Sequence, residues 1–167
     1  EIIITAIKKG IKHFDLARFY GLGEVESEFI KSIENSSIQI TISSKFGILD
    51  KSSGSIIKRN QLLIRSLLNK SKPLKKIIKF FYSKNLISRD YSTNTCLDSI
   101  SRSFNELKKS HIDFYFIHEP LSCEQIDPDI LNTLGKLKSK GKIGLSGISG
   151  NLEIIYSIIK KSNCNNI

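Results

Sequence analysis

Methionine and tryptophan are missing from this 167-residue chain, and so are long apolar runs. No run approaches the roughly 18 uncharged apolar residues that a membrane-spanning helix needs. The opening segment EIIITAIKKG lacks the order of a secretory signal, in which a basic stretch precedes an apolar one and a small-residue cleavage site. Because there is no initiator methionine, we expect the chain to begin inside a longer open reading frame.

Cysteine is scarce, and its three positions lie far apart at Cys96, Cys123 and Cys164. They include no CxxC pair, so the sequence indicates neither a disulfide framework nor a zinc site. We therefore expect no bound metal and a reducing, cytoplasmic location.

Acidic residues are few relative to basic ones, which leaves a net charge of +10. Such an excess invites a nucleic-acid-binding interpretation. However, the lysines are spread along the chain, and no helix-turn-helix, zinc-finger or aromatic RNA-binding motif accompanies them. Abundant isoleucine and asparagine indicate an A/T-rich coding bias instead, so we expect no nucleic-acid partner.

Helical and strand-like patterns alternate along the chain, which suits one domain over residues 1–167. Apolar residues at Val25, Phe29, Ile30 and Ile33, for example, have helical spacing. The predicted helices are 2–9, 23–35, 92–111, 127–140 and 151–161, and the predicted strands are 11–15, 38–44, 112–117 and 141–149. The stretch 46–90 is the least regular.

This alternation predicts parallel strands joined by helical crossovers. Two architectures fit, a closed β/α barrel and an open doubly wound sheet. An open sheet commonly carries a glycine-rich phosphate turn after its first strand, and YGLGE here does not make GxGxxG. A closed barrel has eight strands in about 250 residues. With four strands, the chain would be an incomplete barrel.

Four residues with acid-base chemistry lie at or near predicted strand ends: Asp15, Tyr20, Lys45 and His118. Singly, each has an ordinary explanation: a capping aspartate, a packing tyrosine, a solvated lysine or a structural histidine. In a β/α barrel, however, functional residues collect at the C-terminal ends of the strands. Together on one rim, these four side chains suggest proton transfer.

Strand parity supports a shared rim, because side chains alternate between the two faces of a strand. Asp15 shares a face with His13, and Lys45 shares one with Ser43. His118 shares a face with Phe116 and Phe114. The opposite faces, which carry the isoleucines of the second strand, are expected to meet the helices.

Four segments, in order, resemble the aldo-keto reductase family. FDLARFYGLGEVE is similar to the family's FDTAxxYGxxE, and TISSKFG is similar to (S/T)K-(F/Y)G. IDFYFIHEP resembles IDLYxxHxP, and GKIGLSGIS resembles GKxxxIGVS. The resemblance implies a (β/α)8 TIM barrel, truncated here at both ends, that reduces an aldehyde or ketone with NADPH or NADH and without a metal.

Carried over by position, the resemblance makes Tyr20 the general acid that protonates the carbonyl oxygen. Lys45 would lie beside the phenol and pair with Asp15, while His118 would donate a hydrogen bond to the substrate oxygen. Asp15 and Ser149 would contact the cofactor. Gly150 stands where the family often has asparagine, which removes one side-chain amide, and Leu16 replaces a usual threonine in a position that should face away from the rim.

The chemistry of such a group can be argued from its side chains. A free phenol has a pKa of about 10, and a nearby ammonium favours the phenolate. That ammonium needs a carboxylate partner when it is desolvated. An imidazole donor at a developing oxyanion contributes on the order of 3 kcal/mol.

Other outcomes remain open. The chain could belong to a cofactor-binding, non-catalytic subunit that acts as a regulator or with a channel, or it could be an inactive fragment. The family's remaining cofactor contacts would lie beyond residue 167, so we expect these residues alone neither to fold stably nor to turn over substrate. The basic, apolar stretch 70–84 suggests a crossover helix, with membrane-surface binding as the weaker alternative.

Overall fold

The computed structural model describes residues 2–33, 39–50 and 87–162. Within these ranges the helices are α1 (Ile2–Lys8), α2 (Val25–Ile33), α3 (Thr93–Leu107), α4 (Ile130–Ser139) and α5 (Leu152–Ser162). The strands are β1 (His13–Asp15), β2 (Thr41–Phe46), β3 (Ile48–Asp50), β4 (Ile87–Arg89), β5 (Ile112–His118) and β6 (Ile143–Ser149). Two short 3-10 turns cover Tyr20–Leu22 and Cys123–Gln125.

Four of the strands form one parallel sheet in the order β1-β2-β5-β6. Each strand therefore lies next to the strand of this sheet that follows it in sequence. A doubly wound sheet reverses its strand order at a switch point, and no reversal occurs here. Sequential parallel order is the arrangement of a β/α barrel wall, which confirms the predicted α/β class and the incomplete barrel.

The other two strands were not predicted. β3 and β4 pair antiparallel at the two ends of the irregular stretch, with Ile48 opposite Arg89. The sequence gives little warning of them because each has only three residues. The helix proposed at 70–84 lies outside the described residues.

Strand boundaries differ from the predicted ones because pairing, rather than composition, defines them. The strand predicted at 38–44 is Thr41–Phe46, so Lys45 lies inside the strand instead of after it. The strand predicted at 11–15 is shorter, His13–Asp15, because its pairing with β2 begins where His13 lies opposite Thr41. β5 extends one residue further than predicted and ends on His118.

The core lies between the outer face of the sheet and the helices. Ile42 and Phe46 of β2 are buried, and the Phe46 ring stacks on Tyr115 of β5 with 5.3 Å between ring centroids. This is the face on which the second strand's isoleucine was expected to meet the helices. The helical side of the core includes Phe29, Cys96, Ile100, Leu107, Ile130 and Leu134.

Helix α3 begins as the sequence predicts. Ser92 caps it, because its hydroxyl accepts a hydrogen bond of 3.2 Å from the backbone N–H of Thr95. The Asp127 carboxylate accepts another from the N–H of Thr93 at 2.9 Å. Both contacts satisfy amides that the first helical turn leaves without partners.

Candidate active site

The inner face of the sheet carries a cleft of about 380 Å³. Its lining comes from all four parallel strands: His13, Asp15, Ser43, Lys45, Phe114, Phe116, Ile148 and Ser149. Asp15 and Lys45 therefore share a face, as strand parity predicts. Tyr20 and His118 are not part of this lining. The volume is within the range of small-molecule sites, roughly 300–1,000 Å³.

The Lys45 ammonium is the centre of the cluster. Its side chain is only 2% exposed, and its three N–H donors match three oxygen atoms. They are Oδ1 of Asp15 at 2.7 Å, the backbone oxygen of Leu16 at 2.9 Å and the hydroxyl of Tyr20 at 3.4 Å. The ion pair with Asp15 offsets the cost of desolvating the ammonium. Asp15 itself is 54% exposed and lines the cleft.

Tyr20 reaches the cluster from the loop between β1 and α2. It begins a 3-10 turn that ends at Gly23, whose N–H donates to the Tyr20 carbonyl at 3.1 Å. Gly23 has φ 84°, a left-handed conformation that other residues rarely adopt. The Tyr20 ring lies with its centroid 4.9 Å from Lys45 Nζ, and the side chain remains 37% exposed. The phenol is therefore held beside an ammonium and still open to a ligand.

His118 completes the rim at the last position of β5. Its ring meets the Tyr20 ring edge to face, with 5.7 Å between centroids. The side chain is 4% exposed. Burial, and then the positive charge of Lys45, lower the pKa of His118 below its ordinary value. The imidazole is therefore neutral near pH 7 and retains one N–H donor.

Ser149 ends β6 directly opposite His118 in the sheet register, and it borders the cleft. A Cβ added to the next residue, Gly150, would lie 3.2 Å from the Cα of Glu119, which is tight packing. Glycine at this position thus fits the close approach of the β5 and β6 ends. Leu16 lies in the buried core cluster rather than in the cleft lining, as expected.

A buried polar cluster behind the site was missed by the sequence analysis. Glu26 of α2 is 1% exposed and accepts hydrogen bonds from Arg18 at 3.0 Å, Ser44 at 2.5 Å and Ser103 at 2.9 Å. Arg18 also pairs with Glu106 at 2.6 Å. One signal was available: Glu26 has the helical spacing of the buried Phe29 and Ile33, and a charge on a buried helix face requires partners.

Tyr91 was missed as well. It is 1% exposed, and its hydroxyl donates to the backbone oxygens of His118 at 2.8 Å and Glu119 at 2.9 Å. Burial raises the pKa of Tyr91 to about 12, so this phenol stays protonated. Its ring packs against Gly47, where any Cβ would overlap it. Sequence patterns give no signal for such a contact, because it joins segments more than 25 residues apart.

The described ranges lack both a metal-binding cluster and a membrane-spanning helix. Nowhere in them do three or more His, Cys, Asp or Glu side chains form a group that could hold a metal ion. None of the described helices is long and apolar enough to cross a membrane.

Comparison with known proteins decides the family. The sequence profile of the Aldo/keto reductase family matches residues 1–166, which is almost the whole chain. The chain belongs to the aldo/keto reductase family. The resemblance seen in the four motifs is thereby confirmed. No curated protein sequence matches the chain at a significant level.

Solved aldo-keto reductase structures share the fold. An aldo-keto reductase from Bacillus halodurans, in its holo form, superposes with a TM-score of 0.68 at 21% identity over 97% of this chain. The glycerol dehydrogenase AKR11B4 from Gluconobacter oxydans gives a TM-score of 0.66 at 20% identity over 95% of it. An aldo/keto reductase from Brucella melitensis gives 0.59 at 22% identity over 97% of it.

The match covers only part of each solved structure. It spans 44% of the Bacillus halodurans chain, 40% of the Gluconobacter oxydans chain and 48% of the Brucella melitensis chain. The described sheet of four parallel strands thus corresponds to a part of an eight-stranded wall.

Proposed function

We propose that this chain carries the proton-transfer site of an NAD(P)H-dependent oxidoreductase that reduces an aldehyde or ketone to an alcohol. Membership of the aldo/keto reductase family supports the reaction class. The observation that carries the assignment of residues is the buried Lys45 ammonium, 2.7 Å from Asp15 and 3.4 Å from the Tyr20 hydroxyl. These are the groups that a carbonyl reduction needs for its proton.

In this proposal Tyr20 is the general acid. As the carbonyl carbon is reduced, its oxygen gains negative charge and takes the phenolic proton. The Lys45 ammonium stabilises the phenolate that remains, at the 3.4 Å separation between Nζ and the hydroxyl. Asp15 holds that ammonium in place through its charge-assisted hydrogen bond.

His118 orients the substrate. Its lowered pKa, caused by burial and then by Lys45, favours the neutral ring. A neutral imidazole donates one hydrogen bond to the carbonyl oxygen without competing with Tyr20 as the acid. Donors of this kind at a developing oxyanion contribute on the order of 3 kcal/mol. The phenylalanines of the cleft lining, Phe114 and Phe116, exclude water from one side of the site.

A nicotinamide cofactor, NADPH or NADH, would supply the hydride when bound. The residues present fit its reactive end: the cleft beside Ser149 and Asp15 has room for a small ring, and both side chains offer polar atoms there. We assign Ser149 and Asp15 to this contact. The substrate would be a small carbonyl compound.

The test is Tyr20→Phe in the complete natural polypeptide that contains these residues. With a reactive aromatic aldehyde and NADPH, kcat should fall by about 10²-fold or more because the proton donor is lost. The dissociation constant of NADPH should stay nearly unchanged. Absorbance of NADPH at saturating aldehyde measures the first quantity, and fluorescence titration measures the second.

The matched control is Tyr156→Phe, since Tyr156 lies on α5 with 67% of its surface exposed. It should leave both quantities at the parent level. Turnover that survives Tyr20→Phe would contradict the acid role. A parent that binds NADPH but reduces no carbonyl would instead favour the non-catalytic, cofactor-binding alternative.

A further inference from the structure

The buried polar cluster around Glu26 joins the loop of Tyr20, strand β2 and helix α3. Arg18 lies in the loop between Asp15 and Tyr20, and Ser44 is the strand neighbour of Lys45 with its side chain on the opposite face. Glu26 accepts from both, at 3.0 Å and 2.5 Å. One carboxylate therefore connects the loop of Tyr20 to the strand of Lys45.

We infer that Glu26 is a positioning residue, which fixes the distance between the Tyr20 hydroxyl and the Lys45 ammonium. This inference rests on the function proposed above, and it assigns to that site a residue that touches neither substrate nor cofactor. The side chain works from the far side of the sheet. Its effect reaches the rim through Arg18 and Ser44.

Burial makes this connection selective for a carboxylate. Glu26 is 1% exposed, and its two oxygens receive donors from three different elements: the loop, β2 and α3. A buried carboxylate must keep charged or hydrogen-bonding partners, because water cannot replace them. Motion of the loop away from β2 would break these contacts, so the loop is held at one distance.

The loop is also tied to the sheet at its start. The Leu16 N–H donates to the Ser43 carbonyl at 3.0 Å, and the Leu16 carbonyl accepts from Lys45 at 2.9 Å. Past Leu16, the Tyr20 N–H bonds only within the loop, to the Ala17 carbonyl at 3.0 Å. Arg18 adds a side-chain tie between this segment and its surroundings, through Glu26 at 3.0 Å and Glu106 of α3 at 2.6 Å.

The 3.4 Å separation of Lys45 from Tyr20 is already at the long end of a hydrogen bond. A small further displacement would therefore remove the contact. Misplacement of reacting groups by about 1 Å can cost about 100-fold in rate. Loss of the Glu26 carboxylate should act on the chemical step, while cofactor affinity should change little.

The experiment compares Glu26→Gln with Glu28→Gln in the complete natural polypeptide. Glu28 is the matched control, because it lies on the same helix but is 66% exposed and pairs with Lys31 on the surface. We expect Glu26→Gln to lower kcat by about 10- to 100-fold and to leave the NADPH dissociation constant unchanged. Glu28→Gln should change neither.

Two further variants separate positioning from general damage to the fold. Ser44→Ala removes one donor and little volume, so it should lower kcat in the same direction by a smaller factor. In a double-mutant cycle, Ser44→Ala should add little to Glu26→Gln, because these two side chains act through their shared hydrogen bond. An unchanged kcat in a folded Glu26→Gln protein would overturn the inference, as would equal losses in kcat and in cofactor binding.

Hydrogen exchange decides the case even if the parent shows no reductase activity. The amides of Tyr20 and Gly23 should exchange faster in Glu26→Gln than in the parent, and Glu28→Gln should match the parent. If the parent is inactive but exchange is faster in Glu26→Gln, the proposed function is refuted and the positioning role is not. Identical exchange in all three proteins would refute the positioning role.

Discussion

At the scale of single residues, His118 shows how burial sets chemistry. Its imidazole has the ordinary pKa of about 6.5 in an unfolded chain. In the fold, burial and then the charge of Lys45 lower that pKa. The unfolded state therefore binds a proton more readily than the folded state does, and the free energy of unfolding must depend on pH.

This gives a prediction with a definite sign. The contribution of His118 to stability is greatest above about pH 6.5 and decreases as the pH falls from there towards the lower folded value. Replacing His118 with asparagine should remove this part of the acid destabilisation. Urea unfolding of the parent and the variant at pH 7.5 and pH 5, both as the complete natural polypeptide that contains these residues, measures the difference.

His111→Asn serves as the control, because it makes the same change at an exposed histidine, whose ring donates to the Gly141 carbonyl at 2.8 Å. A change in pH dependence that both variants share cannot be assigned to the burial of His118. If His118→Asn and the parent lose stability in parallel between the two pH values, the burial argument is wrong.

At the scale of elements, the turn between β2 and β3 supports the end of β5. Gly47 in this turn has φ 111°, and the Tyr91 ring occupies the space where a side chain would begin. The Tyr91 hydroxyl in turn binds the His118 and Glu119 carbonyls. The short antiparallel pair of β3 and β4 thus brings a tyrosine under the rim.

Gly47→Ala should therefore lower the free energy of unfolding by on the order of 3 kcal/mol, since it adds both backbone strain and overpacking. Gly135→Ala is the matched change: it lies inside α4 with no atom within 4 Å of an added Cβ. Alanine there should stabilise the protein by about 0.5–1 kcal/mol. Denaturant unfolding of both variants in the complete natural polypeptide checks the prediction, and equal effects at the two glycines would contradict it.

At the scale of the whole molecule, the described part of the sheet has two outer edges, along β1 and β6. Its inner face also presents apolar surface, including Leu145 with 53% exposure. Open strand edges and exposed apolar surface both favour association between chains. In an eight-stranded barrel, further strands would cover them.

We therefore predict that the 167-residue polypeptide, prepared by itself, binds a hydrophobic dye such as ANS and lacks a cooperative thermal transition. Calorimetry and dye fluorescence at several concentrations test this. If the natural polypeptide is longer than these 167 residues, the same measurements on it provide the comparison. A sharp transition together with NADPH-dependent reduction by the isolated 167 residues would show the prediction to be wrong.

The sequence alone determined the alternation of helices and strands and the face on which the rim residues of the strands lie. Both follow from local periodicity, since a side chain's direction in a strand depends only on its position. Asp15, Lys45 and His118 could be assigned to one face for that reason. Their catalytic roles remain a proposal, supported by the family and by the contacts of Lys45.

Only the tertiary structure decided which side chains touch. The Glu26 cluster joins residues as far apart as Arg18 and Glu106, and Tyr91 reaches His118 across 27 positions. The pairing of β3 with β4 spans the irregular stretch in the same way. Such contacts depend on how distant segments of the chain pack together, which no local sequence pattern encodes.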